Sequence, residues 1–316
     1  MTALSDAVPN AQARAVLDER LLTGGRPMRE TAVAESRAAQ YDWVAYMGEP
    51  EPVATVEDRF IPGPTAELPV RIYRPDVGGV LPALVAFHGG CWIVGNIDLV
   101  DRPFRALANA TGCVVVSVNY QKAPEHRFPV PLDDCQAGFR WAVEHAAELG
   151  IDPTRVGVVG DSAGGNLAAA VCLQARADDG PVPAAQVLIY PAVDGSLNTP
   201  SARECAEGYG LTTLDMAWSW QQYAPDAATR NNPRVSPMRA ASLAGLPPAV
   251  VVTAGFDILR DEGIAYVERL RADGVSVAHH HYPGTIHGFL WMQAAVDECG
   301  QMLRAVSGSL HGVLGR

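Results

Sequence analysis

Ser162 lies in Gly160-Asp161-Ser162-Ala163-Gly164, the G-x-S-x-G spacing in which a hydroxyl is carried outward on a sharp turn between a strand and a helix. Small residues two positions to either side leave the backbone free to turn and pack closely. The amides that open the following helix point to where negative charge would form on a reacting oxygen. A serine hydroxyl is a poor nucleophile at neutral pH, so it needs a base, and the base needs an acid that fixes its tautomer. Among the eight histidines, His287 sits in the glycine-flanked loop GTIHGF just past the last expected strand, within reach of the serine. His279, His280 and His281 fall inside that strand, where side chains alternate between faces and cannot form one metal cluster; they are expected as solvated edge residues. For the acid, Asp257 ends the apolar run AVVVTAGF, Asp261 follows one helical turn on, and Asp194 ends AQVLIYPAVD. Asp257 is preferred because it occupies the strand end itself, whereas Asp261 and Glu262 suit the first turn of a helix. Asp161, beside the serine, reads as a structural carboxylate. His88-Gly89-Gly90-Cys91-Trp92 follows the strand ALVAF, where a loop can offer amides to a tetrahedral oxyanion, and Ala163 supplies another.

The elements that must position these groups alternate along the chain. ALVAF (83–87), CVVVSV (113–118), RVGVV (155–159), AQVLIY (185–190) and AVVVTA (249–254) are solidly apolar, as parallel strands covered on both faces are. VSVAHHHY (275–282) adds one strand at the edge. Before them, TVEDRFI and LPVRIYRP alternate apolar with polar around Pro62-Gly63-Pro64, the pattern of half-exposed antiparallel strands. Helical spacing fills 100–110, 131–148, 164–177, 258–272 and 294–310. The fold class is therefore α/β, a mostly parallel central sheet of about eight strands with helices on both faces. Helices at 11–22 and 29–47, parted by Gly24-Gly25 and Pro27, precede every strand. Between 195 and 244, roughly fifty residues with a helix at 213–223 separate two strands, a length that usually marks a functional insertion. Residues 1–50 are accordingly expected as cap helices and 51–316 as the catalytic domain, with 195–244 contributing to the cap.

A chain of 316 residues can bury a sizeable core, and its formal net charge of −11 gives no footprint for nucleic acid or an anionic membrane. The opening stretch MTALSDAVPNAQARAVLDER has neither a basic start nor an apolar leader core, and no apolar run is long enough to span a membrane. A cytoplasmic protein is expected. Cys91, Cys113, Cys135, Cys172, Cys205 and Cys299 are scattered without C-x-x-C spacing, so buried thiols are expected rather than disulfides or a zinc site.

Taken in order, HGGCW, NYQKAPEHRFP, GDSAGGN, DILRDEG and IHGF resemble the hormone-sensitive-lipase-like α/β-hydrolases, the bacterial carboxylesterases with a GDSAG elbow. The likeness runs from about Val53 to the C-terminus, and the N-terminal helices resemble that family's cap. The resemblance implies an α/β-hydrolase fold with Ser162 as nucleophile, Asp257 as acid and His287 as base. It places the oxyanion amides on Gly89, Gly90, Cys91 and Ala163. It further implies hydrolysis of short- to medium-chain esters through an acyl-enzyme, with no metal or cofactor. An amidase, lactonase or arylformamidase would share the triad, and a receptor on the same fold would lack the base that His287 provides.

Trp92, Tyr209, Leu211, Ile286 and Phe289 are the candidates for substrate contact, with Tyr41, Trp43 and Met47 in the cap, although such residues more often pack than line a pocket. Cys91 stands where the family usually has a third glycine; its amide remains, but glycine-only backbone angles are closed to it and lowered activity is expected if the turn is strained. Tyr120-Gln121-Lys122-Ala123-Pro124-Glu125-His126 keeps the Pro-Glu of the family's YRLAPEH and loses its arginine, read as structural. Two copies are expected to pair, if they pair, along the edge near His279–His281.

Overall fold

The computed structural model describes residues 8–23 and 26–315. The first seven residues of the opening stretch, and the Gly24-Gly25 pair read as a helix break, lie outside the described residues. Among the described residues eight strands form one sheet in the order β1-β2-β4-β3-β5-β6-β7-β8. They are β1 (Thr55–Pro62), β2 (Glu67–Arg74), β3 (Leu81–Phe87), β4 (Val114–Val118), β5 (Ile151–Asp161), β6 (Gln186–Ile189), β7 (Ala249–Phe256) and β8 (Val277–Ile286). β1 and β2 pair antiparallel, as do β2 and β4, and every later pairing is parallel. The solid apolar runs are the central strands because both of their faces are covered. Ala83, Val85 and Phe87 of β3 enter one buried cluster, while Leu84 and Ala86 enter the other.

The helices are α1 (Ala11–Thr23), α2 (Val33–Ala39), α3 (Val44–Met47), α4 (Asp101–Thr111), α5 (Val130–Glu144), α6 (Ala146–Leu149), α7 (Ala163–Ala177), α8 (Pro200–Glu204), α9 (Thr213–Tyr223), α10 (Ala227–Arg230), α11 (Arg260–Ala272) and α12 (Asp297–Leu314). α5, α7 and α11 cover the face of Phe87 through Leu132, Phe139, Leu167 and Tyr266. α4 and α12 cover the other through Phe104, Leu107, Met302 and Val306. No helix among the described residues is long and apolar enough to cross a membrane. All six cysteines are buried.

Three expectations need correction. The helix expected over 29–47 is broken into short α and 3-10 pieces. Thr31 is extended, and its hydroxyl bonds the carbonyl of Met28 and the hydroxyl of Ser36, which offers the backbone an alternative to a continuous helix. The helix expected over 131–148 divides at His145, whose Nδ1 bonds the Trp141 carbonyl at 2.9 Å. The three edge histidines are engaged by protein hydroxyls, not merely solvated. Thr253 Oγ1 of β7 lies 2.8 Å from His279 Nε2 and 2.9 Å from His281 Nδ1, and His280, on the opposite face, meets Ser309 at 2.9 Å.

Candidate active site

Two close approaches explain the glycines around Ser162. A Cβ on Gly160 would run into the carbonyl of Gly164, and one on Gly164 into the carbonyl of Phe87 at the end of β3. With those contacts open, the chain turns from β5 into α7 at Ser162, which takes φ 56° and ψ −118°, an arrangement a serine adopts only when its surroundings enforce it. The enforcement is visible: the Ser162 amide donates to Ile189 O at 2.9 Å, and its carbonyl accepts from Asn166 and Ala192.

The base and the acid come from adjacent strand ends. β7 and β8 pair parallel in a register that brings Phe256 opposite Ile286, so the next residues, Asp257 and His287, leave the same rim of the sheet side by side. Asp257 Oδ2 lies 2.8 Å from His287 Nδ1, and its Oδ1 accepts the Leu259 amide at 2.9 Å. His287 Nε2 lies 2.9 Å from Ser162 Oγ. Because an ionised carboxylate only accepts, Nδ1 carries the proton and Nε2 is left to accept from the serine. The Asp257 carboxylate has no solvent exposure.

The other acids are occupied elsewhere. Asp261 accepts the Ser201 amide and pairs with Arg260, Asp194 pairs with Arg239, and Glu262 accepts the amides of Val193 and Asp194. Asp161 is buried and ties the loop after β3 to the turn: its Oδ1 accepts the Gly89 amide at 2.8 Å. Burial pushes the Asp161 carboxyl up to about 6, against the pull of that bond. The Gly89 amide is therefore committed within the protein. Among the described residues, the amides of Gly90, Cys91 and Ala163 make no hydrogen bond.

Cys91 and Trp92 take φ of 54° and 60°, so the cysteine does enter the left-handed region that was expected to be closed to it. Three backbone bonds and one side-chain contact hold that turn. Gly90 O accepts from Ile93 and Val94, Trp92 O accepts from Ala123, and the Cys91 side chain meets Ser219 of α9. Trp92 is fully buried against Trp220 and Tyr223, with ring centroids 4.2 and 4.6 Å away, and Ile286 and Phe289 are buried as well. All three are buried residues of the core. Tyr209, packed 5.1 Å from Phe256, and Leu211 are half-buried. Of the cap candidates, Met47 is buried, Trp43 half-buried under Arg20, and Tyr41 exposed beside Asn96. Tyr190 was missed by sequence reading: its ring lies 4.8 Å from that of His287, and its hydroxyl accepts the Leu290 amide at 3.3 Å. The available signal was its place as the last residue of AQVLIY, on the rim that carries the triad.

This serine, histidine and aspartate, at one rim of a doubly covered sheet, are the constellation for acyl transfer. A family model described as alpha/beta hydrolase fold matches residues 84–291. The carboxylic ester hydrolase LipN of Mycobacterium tuberculosis is 43% identical over 264 residues, 82% of this chain and 70% of its own. The chain belongs to the hormone-sensitive-lipase-like carboxylesterases of the α/β-hydrolase fold. Ethyl acetate hydrolase of Pseudomonas putida is 39% identical over 248 residues, covering 77% of this carboxylesterase and 78% of its own length. An ester hydrolase from the Lake Arreo metagenome, solved with a bipyridine phosphonate derivative, has a TM-score of 0.93 at 39% identity, over 98% of this chain and 100% of its own. A thermostable esterase from Pseudomonas putida reaches 0.94 at 35% identity, over 98% and 99%.

Proposed function

We propose that this carboxylesterase hydrolyses short- to medium-chain esters through an acyl-enzyme on Ser162. His287 Nε2 takes the serine proton as Oγ attacks the ester carbonyl, then returns it to the departing alcohol; water deacylates by the same route. Asp257 holds the imidazole in its working tautomer and balances the charge that forms on it. The amides of Gly90, Cys91 and Ala163 receive the oxyanion, and Gly89 acts through its bond to Asp161. The observation that carries this reading is the unbroken line of hydrogen bonds from Asp257 through His287 to Ser162. The chain-length preference draws support from the likeness to ethyl acetate hydrolase. Tyr209, between Gly208 and Gly210 on a loop and packed on Phe256, and Leu211, just after Gly210, are the proposed substrate contacts, with Trp92, Ile286 and Phe289 backing them. The segments 1–50 and 195–244 form the cap over a catalytic domain of 51–316. The same reading places the enzyme in the cytoplasm and pairs two copies along the outer edge of β8.

The test is hydrolysis of p-nitrophenyl acetate, butyrate and decanoate. The expected outcome is a rate falling with chain length beyond butyrate and loss of turnover in Ser162→Ala. Undiminished turnover in that variant would remove the nucleophile assignment. Asp257→Asn is expected to lower kcat by about 10⁴, as mis-setting the tautomer does in other triads, while Asp261→Asn stays within about tenfold. The reverse order would move the acid to Asp261.

A further inference from the structure

One side chain links the cap to the oxyanion turn. Arg37 of α2 lays its guanidinium against two loops of the catalytic domain. Its Nε donates to Ile93 O at 2.9 Å, and its two terminal nitrogens form a fork on Glu125 at 2.8 and 2.7 Å. The second terminal nitrogen also donates to Ala123 O at 3.2 Å. Ile93 and Ala123 are the residues whose amides hold the strained turn: Ile93 N binds Gly90 O, and Ala123 N binds Trp92 O. Arg37 therefore fixes the carbonyl of the Ile93–Val94 peptide, whose Val94 amide also binds Gly90 O, and the carbonyl of Ala123, the residue whose amide binds Trp92 O. Without a clamp, two consecutive non-glycine residues in the left-handed region would relax, because that conformation costs about 1–2 kcal/mol each. The other cap segment meets the same turn through Ser219 beside Cys91, and Arg29 joins the two segments by bonding Asp215 of α9 through both its amide and its guanidinium.

We propose that Arg37 is a positioning residue for catalysis, which lets the docked cap hold the oxyanion amides of Gly90 and Cys91 at their working distance; this rests on the reading of those amides given above. The role differs from substrate contact in what it predicts. A residue that binds the acyl chain affects KM, and more so for longer chains. A residue that holds the oxyanion turn affects kcat alike for every ester, since the developing alkoxide is common to all of them.

Arg37→Met is expected to lower kcat about 10- to 100-fold for p-nitrophenyl acetate, butyrate and decanoate alike, with KM unchanged within about threefold, since small displacements of catalytic groups cost that much. Arg37→Lys, which keeps the charge but loses the fork, is expected to recover only part of the loss. Glu125→Gln, at an exposed carboxylate, provides the milder arm should Arg37→Met unfold, with a fall in kcat of about threefold at unchanged melting temperature. Loss confined to KM, loss that grows with chain length, or wild-type kcat in Arg37→Met or, if that variant unfolds, in Glu125→Gln would each overturn the proposal. A crystal structure of a phosphonate adduct on Ser162 separates the two readings. If its phosphoryl oxygen meets the amides of Gly90, Cys91 and Ala163 while Arg37→Met keeps its kcat, the clamp alone falls. If that oxygen points elsewhere, the oxyanion assignment falls as well.

Discussion

At the scale of single residues, the departure from the family pattern at Cys91 carries the sharpest consequence. Cysteine in the left-handed region costs about 1–2 kcal/mol that glycine would not, although glycine gives back part of this through its greater freedom when unfolded. The Cys91 thiol contributes packing against Ser219 and no nucleophile: it is 6% exposed, and burial pushes it up to about 11. Cys91→Gly is therefore expected to keep or raise kcat on p-nitrophenyl butyrate and to change the free energy of unfolding by less than about 1 kcal/mol. A fall in kcat beyond tenfold would mean that the side chain, and not only the amide, shapes the turn. Sequence reading recognised Cys91 as the odd residue but treated the left-handed region as closed to it. The strain became legible only with Trp92 beside it in the same conformation and the bond from the Ala123 amide to the Trp92 carbonyl.

At the scale of elements, the site is assembled at four strand ends. β5 delivers the serine, while β7 and β8 deliver the acid and the base in register, and β3 delivers the loop of amides. Most of this was readable because solid apolar runs mark covered parallel strands and the chemistry-bearing residues directly follow them. Asp257 could be preferred over Asp261 on that ground alone. Beyond the triad itself, what could not be read was which segments distant in sequence touch. Gly89 looked like an oxyanion donor until Asp161, 72 positions away, was found on its amide. Nothing in the sequence singles out Arg37. Trp92, Ile286 and Phe289 were read as pocket residues and are buried, since sequence alone does not tell an apolar side chain open to a pocket from one packed in the core. The elbow makes its own prediction at this scale: Gly164→Ala must push β3 and α7 apart at the Phe87 carbonyl, which cannot yield as a flexible side chain would. A loss of about 3 kcal/mol in urea unfolding, with Ser162 no longer labelled by a fluorophosphonate, is expected. A variant folding and labelling like the parent would show that the turn tolerates what the packing forbids.

At the scale of the whole molecule, the acid limb of stability depends on histidines the fold holds neutral. Burial pushes His279 down to about 4, with smaller contributions in the same direction from His281, Arg271 and His280. Burial likewise takes His88 down to about 3, with the charge of Lys122 acting in the same direction. An unfolded histidine binds its proton near pH 6.5. As the pH falls from about 6.5 towards 4, the unfolded chain takes up protons that the fold refuses, and stability from these groups is lost. Asp161, raised to about 6, acts in the opposite sense: the fold holds its proton below that pH while the unfolded chain does not until about 4, so on acidification it returns some stability. The two effects overlap, and the raw melting curve of the parent cannot separate them; a single substitution can. His279→Asn leaves a polar group facing Thr253 and removes one titration. The difference in melting temperature, variant minus parent, is expected to grow steadily more positive from pH 7 to pH 4.5 at fixed ionic strength. A difference that stays flat across that window would remove His279 as a source of the acid sensitivity and leave His280, His281 and His88, which burial lowers in the same direction.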